Sequence, residues 1–285
     1  MNSKTTVEYV IEPNRNWLTI PWREMVAYRD LLYLLVRRDF VAQFKQTVLG
    51  PLWFVLQPLL LTLVYTVVFT RVARIPTDEL PPVLFYMCGT IAWQYFAKCF
   101  GGTATTFVGQ AHLFGKVYFP RLLVPFSVVI SGVFAFALQL LMFLGFVMYF
   151  ELFTVASSTI QFRPAIVYLP LIVIQMALCG LGAGLWLSAL TAKYRDFAHL
   201  LTLFAQVWMY LTPVIYPLSR IPENWRWVSV LNPVTSIVEW FRFAFLGSGT
   251  VLTAYVCTSV AVTLVLFFSG VLVFNRTERT FIDTV

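Results

Sequence analysis

The chain has 285 residues, 59% hydrophobic and only 12% charged, with a formal net charge of +7. A soluble globular domain carries about 25% charged residues, so long uncharged runs at this composition exclude one and indicate an all-α integral membrane protein. The positive charge is therefore read by its distribution across a membrane, not as a nucleic-acid signal, and membrane lipids are the first partners implied.

Residues 1–20 are polar and irregular, with Pro13 breaking them and Pro21 following. Charge persists through the first fifty residues and the first apolar run is a full span, so no signal peptide is expected and the N-terminus should be mature. From Trp22 to Lys45 the pattern is helix-like. Tyr33, Val36, Phe40 and Phe44 share one face, while Arg38 and Lys45, seven apart, project from another. Two readings fit this segment: a helix lying in the membrane interface with its cations at the phosphates, or ordinary positive flanking of the first span. After Lys45 the chain becomes apolar within five residues, opened by Gly50-Pro51. Pro51 suits a first helical turn, and Pro58 is expected to kink the span. Nineteen uncharged residues, 52–70, at about 1.5 Å each approach the roughly 30 Å of a hydrocarbon core.

Further spans are predicted over 83–102, 122–149, 166–190, 200–216 and 252–274. The fourth carries Gly180-Leu-Gly-Ala-Gly184, a small-residue face that allows close helix approach. Within residues 218–249, the stretch Val228–Leu246 is apolar enough to tempt a seventh span, but it holds Asn232-Pro233 and then Glu239 with Arg242, three apart. Charges at mid-membrane are costly, so this stretch is expected to enter and leave on one side as re-entrant helices. With both termini cytoplasmic, fourteen Lys and Arg fall inside and six outside, which favours six spans. The expected organisation is an N-terminal segment with an interfacial helix (1–49), a six-span domain (50–275) and a cytoplasmic tail (276–285).

No catalytic constellation is present in the sequence. The cysteines Cys88, Cys99, Cys179 and Cys257 lie in or beside apolar runs without metal-ligand spacing. His112 and His199 have no cysteine or carboxylate at ligand spacing, so no metal site is expected. The stretch from Gly109 to Val117 imitates a phosphate-binding loop but has five residues between its glycines and Val117 where Ser or Thr should follow Lys116. The spans are empty of acids, which argues against an ion-coupled carrier and leaves a subunit that must borrow its energy. A glycosyltransferase or lipid phosphatase would need acidic or His clusters at the membrane face, and these are missing.

Aromatic residues are abundant, and Trp53, Trp93, Trp208, Trp225 and Trp227 fall near span ends as interfacial belts would place them. Thr202, Gln206 and Tyr210 follow one another at one-turn intervals on the fifth span. Thr62, Thr66 and Phe69 do the same on the first, which also carries Trp53 and Gln57. Such stripes suit a pore for a hydrated, flat-faced polymer such as a glycan. Helix packing by the same side chains is the competing reading.

Arg37-Arg38-Asp39-Phe40, then the run from Lys45 to Trp53 and Gln57-Pro58, resemble the approach to the first span in ABC-exporter permeases for lipid-linked polysaccharides, closest to those for O-antigen. Lys193-Tyr194-Arg195-Asp196, Thr212-Pro213-Val214-Ile215-Tyr216 and Leu231-Asn232-Pro233 match later landmarks of the same family. The resemblance implies a homodimer in the bacterial inner membrane, bound to two copies of a cytoplasmic ATPase subunit that carries the ATP and Mg. No cofactor is expected on this chain itself. Its implied substrate is an undecaprenyl-diphosphate-linked glycan; capsule or teichoic-acid permeases and multidrug or small-lipid exporters are the alternatives. The head group would be attracted by Arg37, Arg38 and Lys45. The connection 103–121, with His112, Leu113, Phe114, Lys116, Tyr118 and Arg121, would couple to the ATPase. Asn232, Pro233, Glu239 and Arg242 would belong to periplasmic re-entrant helices.

Overall fold

The computed structural model of the chain describes residues 22–45, 47–110, 114, 119–153, 164–194 and 196–281. No strand occurs among them. The N-terminal segment forms α1 (Trp22–Ala27) and α2 (Arg29–Phe44). Gly50, at φ +50°, turns the chain into a short 3-10 turn (Gly50–Leu52) that leads into α3 (Trp53–Tyr65). Pro58 lies within continuous α-helix. The departure from α geometry comes later, in the π-helical stretch Thr66–Val72.

There follow α4 (Pro82–Ala104), the single turn α5 (Thr106–Gly109) and α6 (Leu123–Phe153). Beyond the 3-10 stretch Pro164–Tyr168 come α7 (Leu169–Lys193) and α8 (Asp196–Leu211). The chain then forms α9 (Glu223–Leu231), α10 (Pro233–Leu246) and α11 (Thr253–Phe281).

Among the described residues, four stretches are long and apolar enough to cross a membrane: Gly50–Val72, Leu123–Phe153, Pro164–Lys193 and Thr253–Glu278. α4 and α8, also anticipated as spans, fall outside this set, for different reasons. α4 is long, but Thr90, Gln94 and Lys98 dilute its hydropathy. It tolerates them because sixteen of its 23 residues are buried against other helices, with α3, α6, α7, α8 and α10 all touching it. α8 has only 16 residues, about 24 Å at 1.5 Å per residue. Pro213 disfavours helical geometry at Thr212, so the expected span 200–216 continues past Leu211 as a turn.

The helices pack around α4 and α7. Gly180 and Gly184 face α4, where an added Cβ would stand 2.9 Å from the Phe96 carbonyl oxygen and 2.7 Å from that of Phe100. Gly182 faces the other way, onto α11. A Cβ there would meet the Phe267 backbone nitrogen at 2.6 Å, and one on Gly270 would meet the Gly182 carbonyl oxygen at 2.5 Å. The small-residue face is thus two faces, and α7 lies in direct backbone contact with a helix on each side. Polar bonds pin the same interface: Gln175 Nε2 donates to Ser259 Oγ at 2.7 Å, and that hydroxyl donates to the Pro233 carbonyl at 2.7 Å.

Replacing Gly182 with Val should cost roughly 1–3 kcal/mol by overpacking. Gly145 has open space at its Cβ position, so Gly145→Ala should leave the protein at least as stable as before. Thermal unfolding of the two variants in the same detergent checks this, with a lowered midpoint expected only for Gly182→Val.

Candidate functional site

α3 and α8 are the most exposed of the long apolar helices. α3 buries only Pro58 and Thr62, and α8 only Leu201. They flank α4 on one side and meet where Tyr65 Oη donates to Met209 Sδ at 3.5 Å. The two predicted stripes divide on this surface. Trp53, Gln57, Gln206 and Tyr210 are exposed, Tyr210 by 58%. Thr62 is buried, the Thr66 hydroxyl turns back to donate to the Thr62 carbonyl at 2.8 Å, and Phe69 packs into a cluster with Tyr65 and Tyr86. The belt reading also divides. Trp53, Trp225 and Trp227 are exposed, whereas Trp93 is buried and Trp208 packs edge-on against Phe96 and Phe100.

The N-terminal cations do not form one cluster. α1 and α2 pack beside α6, with Trp22 against Phe126 and Phe40 against Phe134. Arg37 and Lys45 are exposed. Arg38 is engaged, its Nε and Nη2 donating to Asp39 Oδ1 at 3.0 and 2.8 Å and its Nη1 to Gln110 Oε1 at 3.3 Å. Ser127 Oγ on α6 donates to the other Asp39 oxygen at 3.0 Å. This polar hub of Asp39, Gln110 and Ser127 is absent from the sequence reading. Its one visible signal is an acid directly after Arg38, in a segment otherwise read for its cations.

Of the connection expected to couple to an ATPase, His112, Leu113, Lys116 and Tyr118 lie outside the described residues. Phe114 turns inward, its ring near Phe107 and Phe119 and 5.2 Å from the Arg121 guanidinium. Arg121 in turn reaches the end of α11, donating Nη1 to the Glu278 carbonyl at 3.2 Å with Nε 3.6 Å from its carboxylate. Phe107 stacks on Phe274 of that helix at 4.6 Å.

At the other end of the bundle, Asn232 caps α10 by accepting the Val234 N–H on Oδ1 at 3.1 Å. The same oxygen accepts Trp208 Nε1–H at 2.9 Å, and its Nδ2 donates to Thr212 Oγ1 at 2.9 Å, so one side chain ties α8 to α10. Pro233 at the first helical position lets the chain turn without losing a hydrogen bond. Glu239 and Arg242 are fully buried and paired at 2.5 Å. Arg242 Nη2 donates to the Pro213 carbonyl at 3.0 Å, and its guanidinium lies 3.9 Å from the Phe85 ring centroid. Glu239 Oε2 accepts the Thr250 N–H at 2.8 Å.

Breaking a buried ion pair by removing one partner typically costs about 3–5 kcal/mol, while replacing both with apolar groups can be nearly neutral. Arg242→Met and Glu239→Leu should therefore each sharply lower the folded fraction recovered from membranes. The double variant should recover most of it. A double-mutant cycle on unfolding midpoints checks this.

Residues 30–246 match the ABC-2 type transporter family. The chain is 30% identical over 268 residues to a protein of Myxococcus xanthus named O-antigen export system permease protein RfbA, which covers 92% of this chain and 98% of the relative. It is 26% identical over 257 residues to a protein of the same name from Klebsiella pneumoniae, covering 89% of this chain and 94% of the relative. The match takes in α2 through α10, the helices that hold the exposed α3 and α8 surface, the hub around Asp39 and the Glu239–Arg242 pair. This chain is a membrane protein of the ABC-2 type transporter family.

Proposed function

We propose that the chain is the channel-forming permease of an ABC export system that moves an undecaprenyl-diphosphate-linked polysaccharide, an O-antigen, out across the bacterial inner membrane. The observation that carries this is the likeness to O-antigen export permeases along 89–92% of the chain, joined to an exposed face on α3 and α8 that mixes rings with amides. Sugar rings offer C–H faces to Trp53 and Tyr210 and hydroxyls to Gln57 and Gln206. Two copies of the chain would enclose that face, and two copies of a separate ATPase subunit, with ATP and Mg, would drive movement. In this arrangement six helices cross the membrane, α4 and α8 among them, with α9 and α10 re-entering from the periplasm and both termini in the cytoplasm. α4 crosses inside a jacket of other helices, which spares most of its length from lipid contact. Arg37 and Lys45, exposed beside the first span, remain open to a diphosphate.

A polymer that slides needs many weak contacts, each ring contributing about 1 kcal/mol. Tyr210→Ala or Trp53→Ala alone should slow export roughly fivefold or less, and the pair together severely, at unchanged permease abundance. Surface glycan measured against permease in the same membranes decides this, and unchanged export from a well-expressed double variant removes the surface from the path.

Orientation is checked by single cysteines in a cysteine-free background. One near residue 10 or 280 should resist a membrane-impermeant thiol reagent in intact cells, and one at Asn224 should react. Labelling at residue 280 would mean an odd number of spans.

A further inference from the structure

A cleft of about 460 Å³ opens between α2, the latter part of α4, α5 and the start of α6, lined among others by Asp39, Gln43, Lys98, Thr105 and Gln110. Among the described residues, Lys98 is the one cation lining it and Asp39 the one acid. Asp39 is already matched, since Arg38 holds one carboxylate oxygen and Ser127 the other. Lys98 is not. Its Nζ donates to Gln43 Oε1 at 3.0 Å and lies 5.3 Å from the Phe54 ring centroid, and no carboxylate is within ion-pair distance among the described residues.

The two glutamines are oriented by cations. Gln43 gives its carbonyl oxygen to Lys98, and Gln110 gives its own to Arg38 at 3.3 Å. Each thereby keeps its Nε2 hydrogens as donors with no acceptor among the described residues. Thr105 adds an exposed hydroxyl whose contacts to the Gly101 and Gly102 carbonyls are both long, at 3.3 Å. An ammonium with no carboxylate in direct contact, its nearest acid being the Asp39 that Arg38 and Ser127 already hold, converges on one cleft with two amide donors and a hydroxyl, and Ala42, Val124 and Val128 give the cleft an apolar wall.

We propose that this cleft binds the phosphate of a membrane lipid headgroup, with Lys98 as its charge partner, Gln43, Gln110 and Thr105 as donors and the apolar wall against the acyl or prenyl chain. A half-buried cation is costly unless an anion accompanies it, and charge-assisted bonds to phosphate oxygens offset that cost. Assignment of the cleft to the cytoplasmic leaflet rests on the orientation proposed above, but the binding does not. A phospholipid and the diphosphate of a prenyl-linked glycan share this chemistry.

The full-length chain, purified in a phosphate-free maltoside detergent, is titrated with dihexanoyl-phosphatidylglycerol, with farnesyl diphosphate and with inorganic phosphate. One or both lipids should bind, and the tighter of the two names the source. Lys98→Gln should weaken that binding at least tenfold. Thr105→Glu, which sets a carboxylate at an exposed position of the same cleft, should do so too and decides the matter if Lys98→Gln does not fold. Unchanged lipid binding in a folded variant, or inorganic phosphate binding as tightly as either lipid, overturns the proposal. Because binding is read without export, its failure would leave the transport reading untouched.

Discussion

The constraint on which much of this structure depends is the burial of Glu239 and Arg242. Each charge removed from water is costly, and the pair is tolerable because most of its remaining valences are used, Arg242 Nε being the one buried donor of the pair left without a partner. One guanidinium nitrogen holds Pro213 just beyond α8, its face lies over Phe85 of α4, and the carboxylate receives the Thr250 N–H before α11. The pair therefore joins four separate parts of the chain at one point. Asn232 adds a second fastening between the same elements, binding Trp208, Thr212 and Val234 together. Gly247, in the left-handed conformation at φ 73°, ends α10 beside it and lets the chain turn back into α11. Such a junction makes α8, α10 and the start of α11 move as a unit, because sliding one past another would strand a buried charge.

The bundle is uneven in where it spends its apolar surface. α4 is enclosed by neighbours over most of its length and carries an amide and two threonines there. α3 buries almost nothing and presents Leu60, Leu63, Val64, Val67 and Val68 outward along with Gln57 and Trp53. A helix so exposed in the isolated chain contributes little to holding its fold together, and its side chains are open to lipid, to another protein surface or to a substrate.

At the opposite end, contacts are ionic and aromatic. Arg38, Asp39, Gln110 and Ser127 connect α2 with the end of α5 and the start of α6. Arg121 and Phe107 connect the 106–121 connection to Glu278 and Phe274 of α11. The described residues of that connection are thus fastened both to the N-terminal helices and to the last helix.

The sequence alone was enough for the membrane class, the helical content and the place of each long helix in the chain, though ends differ by up to seven residues, as for the last helix, expected to stop at 274 and continuing to Phe281, because hydrophobic runs and prolines act locally. It also located the break at Asn232-Pro233 and the glycine face of α7, since a cap and a small side chain are legible from residue type. The resemblance read from Arg37 to Pro233 led to the right family. What the sequence could not decide was direction. Gln206 and Thr62 look alike as polar residues in apolar helices, yet one is exposed and the other buried, because each faces whatever helix happens to pack beside it. Trp93 and Trp208 likewise read as belt residues until α4 and α8 met. The Arg38–Gln110 bond spans 72 positions and the Gln175–Ser259 bond 84, and no periodicity carries information across such distances. Local chemistry chose the helices, and only their packing chose which side chains were left for function.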